Sequence, residues 1–290
     1  MNASLDSREA GTDRQSGHDH CQDGHGQGHD GAPGPPDRPR ETPPAGRVLV
    51  LRPHSGVSGD IMVAGLAALA GLGQDGLEAL LADLGLGDLS GRVRLAPRTV
   101  GGIAGEGLHV DLRPEHVHRS LGDVVAFLEA AAMTDRAREL AIRAFSLLAE
   151  AEGRVHGRPP SEVHFHEVGA VDSLLDIGLA AAIFDRLDPA EFVCGPLPLC
   201  DGTIECAHGL LPSPAPAVSI LLEGAMVRGL DSSGETVTPT GLALLRSLGA
   251  RFGPWPAMTV ERQALVFGTR VLPNVPNGAL FALGPAAPAP

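Results

Sequence analysis

The chain has 290 residues, of which 43% are hydrophobic, and a formal net charge of −13 at pH 7. This length allows one large folded domain or two smaller ones. The acidic balance argues against a nucleic-acid-binding surface, and the aromatic content of 3%, with no tyrosine, argues against a platform for stacked bases.

The four cysteines are Cys21, Cys194, Cys200 and Cys206, and none of them forms a C-x-x-C pair. A chain of this size does not need disulfide bonds to be stable. The sequence contains neither an N-terminal signal-peptide pattern nor a run of about 18 apolar residues. We therefore expect a reduced, soluble, cytoplasmic protein that binds neither membranes nor nucleic acid.

Residues 1–45 are rich in Gly, Pro, Asp and His and contain almost no large apolar side chains. Such a segment cannot bury enough surface to offset the entropy lost on ordering, so we predict a disordered tail. Its histidines are interspersed with aspartates, a composition typical of weak, multivalent binding of nickel or zinc. The histidines predicted to sequester metal in the tail are His18, His20, His25 and His29.

The folded domain is predicted to begin at residue 46 with an apolar strand, Arg47–Leu51. A turn at Pro53–Gly59 and a helix at about Asp60–Ala70 follow. Exposed N–H groups at a glycine-rich helix start can bind an anion, although a tight strand-to-helix turn explains the same sequence equally well. The candidate cofactor-binding residues in this turn are Ser55, Gly56, Ser58, Gly59 and Asp60.

Three helices and a pair of strands are predicted next from hydrophobic periodicity and turn residues. They are a helix at Gly76–Leu84, strands broken by a glycine-rich turn at 91–113, and helices at Ser120–Ala132 and Asp135–Gly153. Ser120 and Thr134 are predicted N-caps of the two later helices. Near the end of the last helix, Glu152 and His156 are four residues apart. Such a pair shares one helical face and either contributes to a metal site or is a surface or capping pair.

The segment 163–176, VHFHEVGAVDSLLD, is the most informative part of the sequence. On a strand, His164 and His166 would share one face, and on a following helix at Asp172–Leu187 the carboxylates of Asp172 and Asp176 would be neighbours. Imidazoles beside carboxylates suit Ni, Zn, Mn or Fe, so these residues and Glu167 are metal-ligand candidates. The alternative is that both histidines are hydrogen-bonded structural residues and Asp172 is an N-cap.

The remaining predicted elements are an extended segment, two helices and a last strand. They cover Glu191–Leu199, Ala217–Leu222 after a proline-rich loop, Pro239–Leu248 and about Thr259–Phe267. Alternating strands and helices predict an α/β to α+β fold, with a mixed sheet packed with helices. We expect this domain to span residues 46–280 and a second disordered tail, rich in Pro and Ala, to span residues 281–290.

Two further candidate sites lie in the C-terminal third of the chain. Cys206 and His208 are two residues apart and suit a borderline metal, although Cys206 is equally well explained as a small buried hydrophobic residue. Thr238, Thr240 and Gly241 form a hydroxyl-bearing turn at a helix start, like the turn near residue 55. A phosphate-bearing ligand between the two turns is one interpretation.

Taken together, these motifs resemble the LarC nickel insertion family, also called pyridinium-3,5-bisthiocarboxylic acid mononucleotide nickel chelatases. The matching stretches occur in family order: SGVSGD (55–60), HRSLGDV (118–124), AEGRVHG (151–157), VHFHEVGAVDSLLDI (163–177), CAHGLLPSPAPA (206–217), GETVTPTGLALL (234–245) and PNV (273–275). They cover nearly all of the predicted domain, and the series VHFHEVGAVDS, HG…PxPAPA and TPTG is highly specific.

The resemblance implies insertion of nickel into a mononucleotide with two thiocarboxylates, a lyase-type step in the biosynthesis of a nickel-pincer cofactor. It also implies consumption of CTP with Mn or Mg. Metal handling is then expected at His164, His166, Glu167 and Asp172, and nucleotide or phosphate binding at the two turns. The expected partners are the mononucleotide precursor, a separate chain carrying the family's C-terminal portion, and a second copy of this chain.

The sequence departs from the family in three places. The family's first strand usually ends in Asp-Cys-Phe, where this chain has Arg52-Pro53-His54, and a late glycine-rich stretch is reduced to Phe267–Arg270. Family members also often continue into a C-terminal portion linked to CTP and metal binding. The first and third departures favour an alternative, a non-enzymatic nickel-binding or delivery protein. A weaker alternative is a metal-dependent hydrolase that uses His164, His166 and Asp172 with metal-activated water.

Overall fold

The structure is a computed structural model that describes residues 46–112, 119–165, 171–206 and 209–287. These ranges contain seven α-helices: α1 Gly59–Ala70, α2 Gln74–Asp83, α3 Leu121–Ala130, α4 Asp135–His156, α5 Val171–Leu187, α6 Pro216–Leu221 and α7 Pro239–Ser247. The same ranges contain thirteen strands: β1 Arg47–Pro53, β2 Val93–Val100, β3 Ile103–Val110, β4 Arg119–Ser120, β5 His164–Phe165, β6 Glu191–Cys194, β7 Leu197–Leu199, β8 Thr203–Cys206, β9 Gly209–Pro212, β10 Val227–Gly229, β11 Arg251–Phe252, β12 Arg262–Val266 and β13 Ala279–Pro285. The predicted tail at 1–45 lies outside the described residues.

Seven strands form one mixed sheet in the order β11-β6-β1-β13-β12-β3-β2. β1 is parallel to β6 and antiparallel to β13, β13 is antiparallel to β12, and β12 is parallel to β3. β2 and β3 form an antiparallel ribbon at one end of the sheet. The predicted fold class, a mixed sheet packed with helices, is confirmed.

The two central strands, β1 and β13, are buried on both faces. Leu49 and Leu51 of β1 belong to the main core shared with the helices, whereas Val48 and Val50 belong to a small cluster that also contains Ala282. This explains why β1 reads as a continuous apolar run and not as an alternating strand.

Close packing of α1 against β13 depends on a glycine in the helix. A Cβ atom at Gly65 would lie 2.3 Å from the ring of Phe281, so the helix can approach the strand only because Gly65 has no side chain. Phe281 is fully buried at this contact. The packing fixes α1 relative to the sheet and therefore fixes where the turn before α1 lies.

Both predicted N-caps are confirmed. The Ser120 side chain accepts a hydrogen bond from the Asp123 N–H, and the Asp123 carboxylate accepts one from the Ser120 N–H, which together form a capping box. The Thr134 hydroxyl accepts a hydrogen bond from the Ala137 N–H at the start of α4. These contacts span three residues, so they follow from local sequence.

The C-terminal end of the sheet corrects two predicted boundaries. The strand predicted at about 259–267 is shorter, because β12 covers only Arg262–Val266, and β13 follows it as a further strand. The tail predicted at 281–290 begins inside β13, where Phe281, Ala282 and Leu283 are buried. The Pro/Ala-rich composition resembles a tail, but hydrogen-bonded neighbours on both sides hold this segment in the sheet.

No helix in the described part of the chain is long and apolar enough to cross a membrane.

Candidate functional site

The two turns predicted to bind a ligand lie side by side. Val57 and Val237 form a parallel β-bridge, in which the Val57 N–H donates to the Thr236 carbonyl at 2.9 Å and the Thr238 N–H donates to the Val57 carbonyl at 3.1 Å. The bridge sets the starts of α1 and α7 next to each other. The interpretation that one ligand lies against both turns is therefore geometrically consistent.

The glycines of these turns are required by the contact between the two backbones. A Cβ atom at Gly56, whose φ is +148°, would lie 1.9 Å from the Thr236 carbonyl oxygen, and one at Gly241 would lie 2.7 Å from the Val57 carbonyl oxygen. The Thr238 hydroxyl accepts from the Gly241 N–H at 3.1 Å and caps α7. The contact between the two backbones therefore explains why these positions are glycine, and no ligand is needed for that explanation.

A cavity of ≈ 1130 Å³, called here the larger cavity, opens between these turns, α5 and the β2–β3 ribbon. The hydroxyl-bearing residues that line it at the turns are Ser55, Ser58, Thr236, Thr238 and Thr240. Gly56, Gly59 and Asp60 line it as well, whereas Gly241 is not among its described lining residues. Most of the predicted cofactor-binding residues therefore share one cavity.

One end of the larger cavity is acidic. Asp60, Asp172 and Asp176 all line it, although they come from two different helices. Burial, together with the charges of Asp60 and Asp172, raises the pKa of Asp176 well above the ordinary aspartate value. The Ser58 hydroxyl donates a hydrogen bond to the Asp60 carboxylate. The predicted i, i+4 pair of Asp172 and Asp176 thus gains a third carboxyl from α1.

Basic side chains also line the larger cavity, and the sequence analysis missed them. Arg94, Arg98 and His109 of the ribbon line it together with Arg270, which follows β12. Arg94 and Arg98 are four residues apart on a strand, so they share one face. This spacing is the signal from which the two arginines of the ribbon could have been predicted to act together. Arg270 is distant in sequence, and only the fold brings it to the ribbon.

A smaller cavity of ≈ 450 Å³ adjoins the larger one. It is lined by Glu152, His156 and Cys206, and the His156 Nε2 lies 3.4 Å from the Glu152 Oε2. The residues that line both cavities are Asp172, Ser173, Glu235, Thr238 and Thr240. Three of the predicted metal-site residues therefore lie in a cavity whose wall includes a fourth, Asp172.

The structure does not place His164 in either cavity. His164 is exposed on β5, where it pairs with Ser120 of β4. Its charge also contributes to the lowered pKa of Asp123, whose main cause is the hydrogen bond from the Ser120 side chain. Its neighbour Phe165 is buried and lines the smaller cavity. Within the described ranges, His156 and Asp172 both line the smaller cavity, whereas His164 lines neither cavity.

Several predicted ligands lie outside the described residues: His166, Glu167, His208 and the tail histidines His18, His20, His25 and His29. Among the residues that the structure does describe, no group of three or more His, Cys, Asp or Glu side chains is arranged to hold a metal ion. The described donors therefore form open, partial sets of ligands.

Cys194 and Cys200 are buried and belong to neither cavity. Burial raises the pKa of Cys194 to about 12, so this thiol stays protonated at neutral pH. The nearby Arg52, which stands where the family usually has an acidic residue, donates to the Gly253 carbonyl at 2.7 Å and lies 5.0 Å from the Trp255 ring centroid. Arg52 is not among the described residues that line either cavity.

Comparison with known proteins agrees with the resemblance seen in the motifs. The sequence model of the family described as "Nickel insertion protein" matches residues 49–286. A nickel insertion protein of Geotalea uraniireducens is 40% identical over 238 residues, which cover 82% of this chain and 61% of the relative.

Two further relatives are named pyridinium-3,5-bisthiocarboxylic acid mononucleotide nickel insertion protein. The one from Desulfitobacterium hafniense is 36% identical over 80% of this chain and 57% of its own length. The one from Nocardioides sp. is 39% identical over 77% of this chain and 56% of its own length. No solved structure matches the chain.

This chain thus spans less than two thirds of the length of these curated relatives. Neither the delivery-protein nor the hydrolase alternative gains support from these names.

Proposed function

The chain belongs to the nickel insertion protein family, and we propose that it acts in inserting nickel into a pyridinium-3,5-bisthiocarboxylic acid mononucleotide, the compound named for two of its relatives. The observation that carries the proposal is the wall shared by the two cavities. This wall joins the larger cavity, whose size suits a nucleotide, to the smaller cavity, which is lined by side chains of the types that bind metals.

The larger cavity supplies the groups that a mononucleotide needs. Hydroxyls of Ser55, Ser58, Thr238 and Thr240 line it and can donate to or accept from a ribose or a carboxylate. They are carried by two bridged turns at the starts of helices, so their positions are fixed by backbone hydrogen bonds. A rigid support of this kind favours one orientation of the bound nucleotide.

The smaller cavity supplies the groups that handle nickel on its way to the substrate. The imidazole of His156, the carboxyl of Glu152 and the sulfur of Cys206 suit a borderline divalent ion. A partial set of ligands is appropriate for a cargo ion, because a closed tetrahedral cage would retain it. His166, Glu167 and His208 are proposed as further donors from outside the described residues.

The acidic end prepares the cavity for a cation. The pKa of Asp176 is raised by burial beside Asp60 and Asp172, so its carboxyl retains a proton more readily than an ordinary aspartate. An arriving divalent ion compensates the carboxylate charges and favours release of that proton. The carboxyls would thus attract nickel to the wall shared by both cavities and neutralise the charge of the ion only in part.

The finer parts of the proposal come from the family resemblance. One is that the reaction consumes CTP with Mn or Mg. The other is that this chain acts together with a partner, which is either a separate chain that carries the part of the relatives not matched here or a second copy of this chain. A direct check is to measure nickel insertion with and without CTP and each divalent ion.

The test of the main proposal is nickel transfer to the mononucleotide by the full chain, followed by mass spectrometry of the small molecule. We expect Asp172→Asn and His156→Ala to lower the transfer rate by about tenfold or more, since the first removes a donor at the shared wall and the second removes a donor of the smaller cavity. Glu150→Gln is the matched control, because Glu150 is exposed on α4 and lines neither cavity. Transfer that is unaffected by both cavity variants would exclude this site.

A further inference from the structure

The basic residues that line the larger cavity have a defined arrangement. Arg94 and His109 are directly opposite each other in the ribbon, and Arg98 is opposite Gly105. Because β3 has glycine at 105 and 107, the Arg98 side chain can cross the strand, and a Cβ atom at Gly107 would lie 3.4 Å from the Arg98 Cδ. The ribbon thus presents its cations on the face that lines the cavity.

Hydrogen bonds to backbone carbonyls orient two of the arginines. The Arg98 Nη2 donates to the Thr269 carbonyl at 2.8 Å, and the Arg270 Nη1 donates to the Glu235 carbonyl at 3.1 Å. A guanidinium has five N–H donors, so one hydrogen bond to the protein orients each group and leaves most donors for a ligand. Planar guanidinium groups match the oxygens of a phosphate well.

The turn before α1 is, by contrast, an unfavourable place for an anion. A Cβ atom at Gly59 would lie 2.2 Å from the Asp176 Oδ2, so this carboxyl already lies against the first turn of α1. Asp60 is in the same turn. A helix N-terminus attracts one negative group, and here protein carboxyls are already next to it.

We propose that Arg94, Arg98 and Arg270 form the binding site for the phosphate monoester of the mononucleotide. The inference rests on the proposed function and adds an orientation to it. The phosphate binds at these three arginines, and the rest of the mononucleotide extends from them toward the wall shared with the smaller cavity. Binding of the phosphate by the arginines therefore sets which end of the substrate faces the smaller cavity.

The test compares a pyridinium mononucleotide with the same compound lacking its phosphate. The probes are nicotinic acid mononucleotide and nicotinic acid riboside, titrated calorimetrically into the full chain at low salt. We expect the mononucleotide to bind about tenfold or more tightly than the riboside, since charged hydrogen bonds to phosphate account for the difference. The preference should fall as ionic strength rises.

The Arg94→Gln/Arg270→Gln variant is expected to lose most of that preference while its affinity for the riboside is unchanged. Arg98→Gln is tested separately, because it also loses the hydrogen bond that ties the ribbon to Thr269. Arg92→Gln is the matched control, since Arg92 precedes the ribbon, donates to the Asp111 carbonyl at 2.9 Å and lines neither cavity. Circular dichroism and melting temperature establish that each variant is folded.

The possible outcomes separate the two proposals. If the arginine variants keep the wild-type preference for the mononucleotide, the phosphate site is overturned and the proposed function stands. If the wild type binds neither probe, the substrate class itself is contradicted and the arginine site is rejected with it. Loss of affinity for both probes to the same degree would also overturn the proposal, because it would show a general structural role.

Discussion

Asp176 is the residue whose environment differs most from that of a free side chain at the site. Its carboxyl is buried against the first turn of α1, near Asp60 and Asp172, and these surroundings raise its pKa. An acid with a raised pKa binds more protons in the folded than in the unfolded state between the ordinary aspartate pKa and the raised value. The free energy of unfolding therefore falls as pH increases through that window.

Asp176→Asn is consequently expected to increase stability at neutral pH. The amide keeps the size of the carboxyl and removes the charge, so the melting temperature should rise at pH 7 and the gain should vanish near the ordinary aspartate pKa of about 3.9. Asp75→Asn, at an exposed site in the first turn of α2, is the control and should give no gain. A variant less stable than wild type at pH 7 would show that the carboxylate makes a favourable contact instead.

Gly241 tests the contact between the two turns. An added methyl group would lie 2.7 Å from the Val57 carbonyl oxygen and 2.8 Å from the Ser58 Cα, and neither backbone atom can move without disturbing α1. We expect Gly241→Ala to lower the free energy of unfolding by about 1–3 kcal/mol, as overpacking does. Urea denaturation measures this change.

Gly73→Ala is the matched control for Gly241→Ala. Gly73 is the N-cap of α2, has a φ of −82° and has open space where an added methyl group would lie, so the substitution should cost only the modest N-cap preference for glycine over alanine, less than Gly241→Ala. Equal losses of stability in both variants would mean that the turn contact has no special role.

At the scale of elements, local patterns predicted what local contacts determine. The capping box at Ser120 and the Thr134 cap span three residues, and both were readable. The strand β13 was not recognised, because its stability comes from β1 and β12, which are distant in sequence. The two turns at helix starts were predictable for the same reason, whereas Arg270 reaches the ribbon only through the fold.

The contact between α1 and β13 is expected to be a main source of stability. Phe281 is fully buried, and its ring lies where Gly65 leaves space. Phe281→Ala should cost about 3–5 kcal/mol, because the cavity left behind is lined by a helix and a sheet that cannot both collapse into it.

Phe252→Ala on the edge strand β11 provides the comparison for Phe281→Ala, since Phe252 is only partly buried. It should cost clearly less in the same denaturation experiment. A similar cost for both variants would contradict the view that the α1–β13 contact is a main source of stability.

At the scale of the whole molecule, charge is distributed unevenly. The chain has a net charge of −13, yet the larger cavity is lined by three arginines. Composition predicted the acidic average and could not predict this exception, because the ribbon and the segment after β12 meet only in the folded chain. The same holds for Glu152, His156 and Cys206, which are brought together by α4 and β8.

This arrangement predicts two classes of nickel binding in the full chain. The interspersed histidines of the tail should bind several ions weakly, and the cavities should bind about one ion more tightly. Changing His18, His20, His25 and His29 to Ala should remove the weak class in a calorimetric titration and leave the tight class unchanged. Glu152→Gln/His156→Ala should weaken the tight class alone.

The two sets of substitutions act on different parts of the chain, so their effects should be additive when combined. If changing the tail histidines were enough to remove all nickel binding, the cavity site would be contradicted, because the described donors would then be insufficient without the tail. Retention of tight binding in the Glu152→Gln/His156→Ala variant would instead place the ion at the carboxyls of Asp60, Asp172 and Asp176 in the larger cavity. In that case nickel would have to reach the substrate directly from the acidic end of the larger cavity.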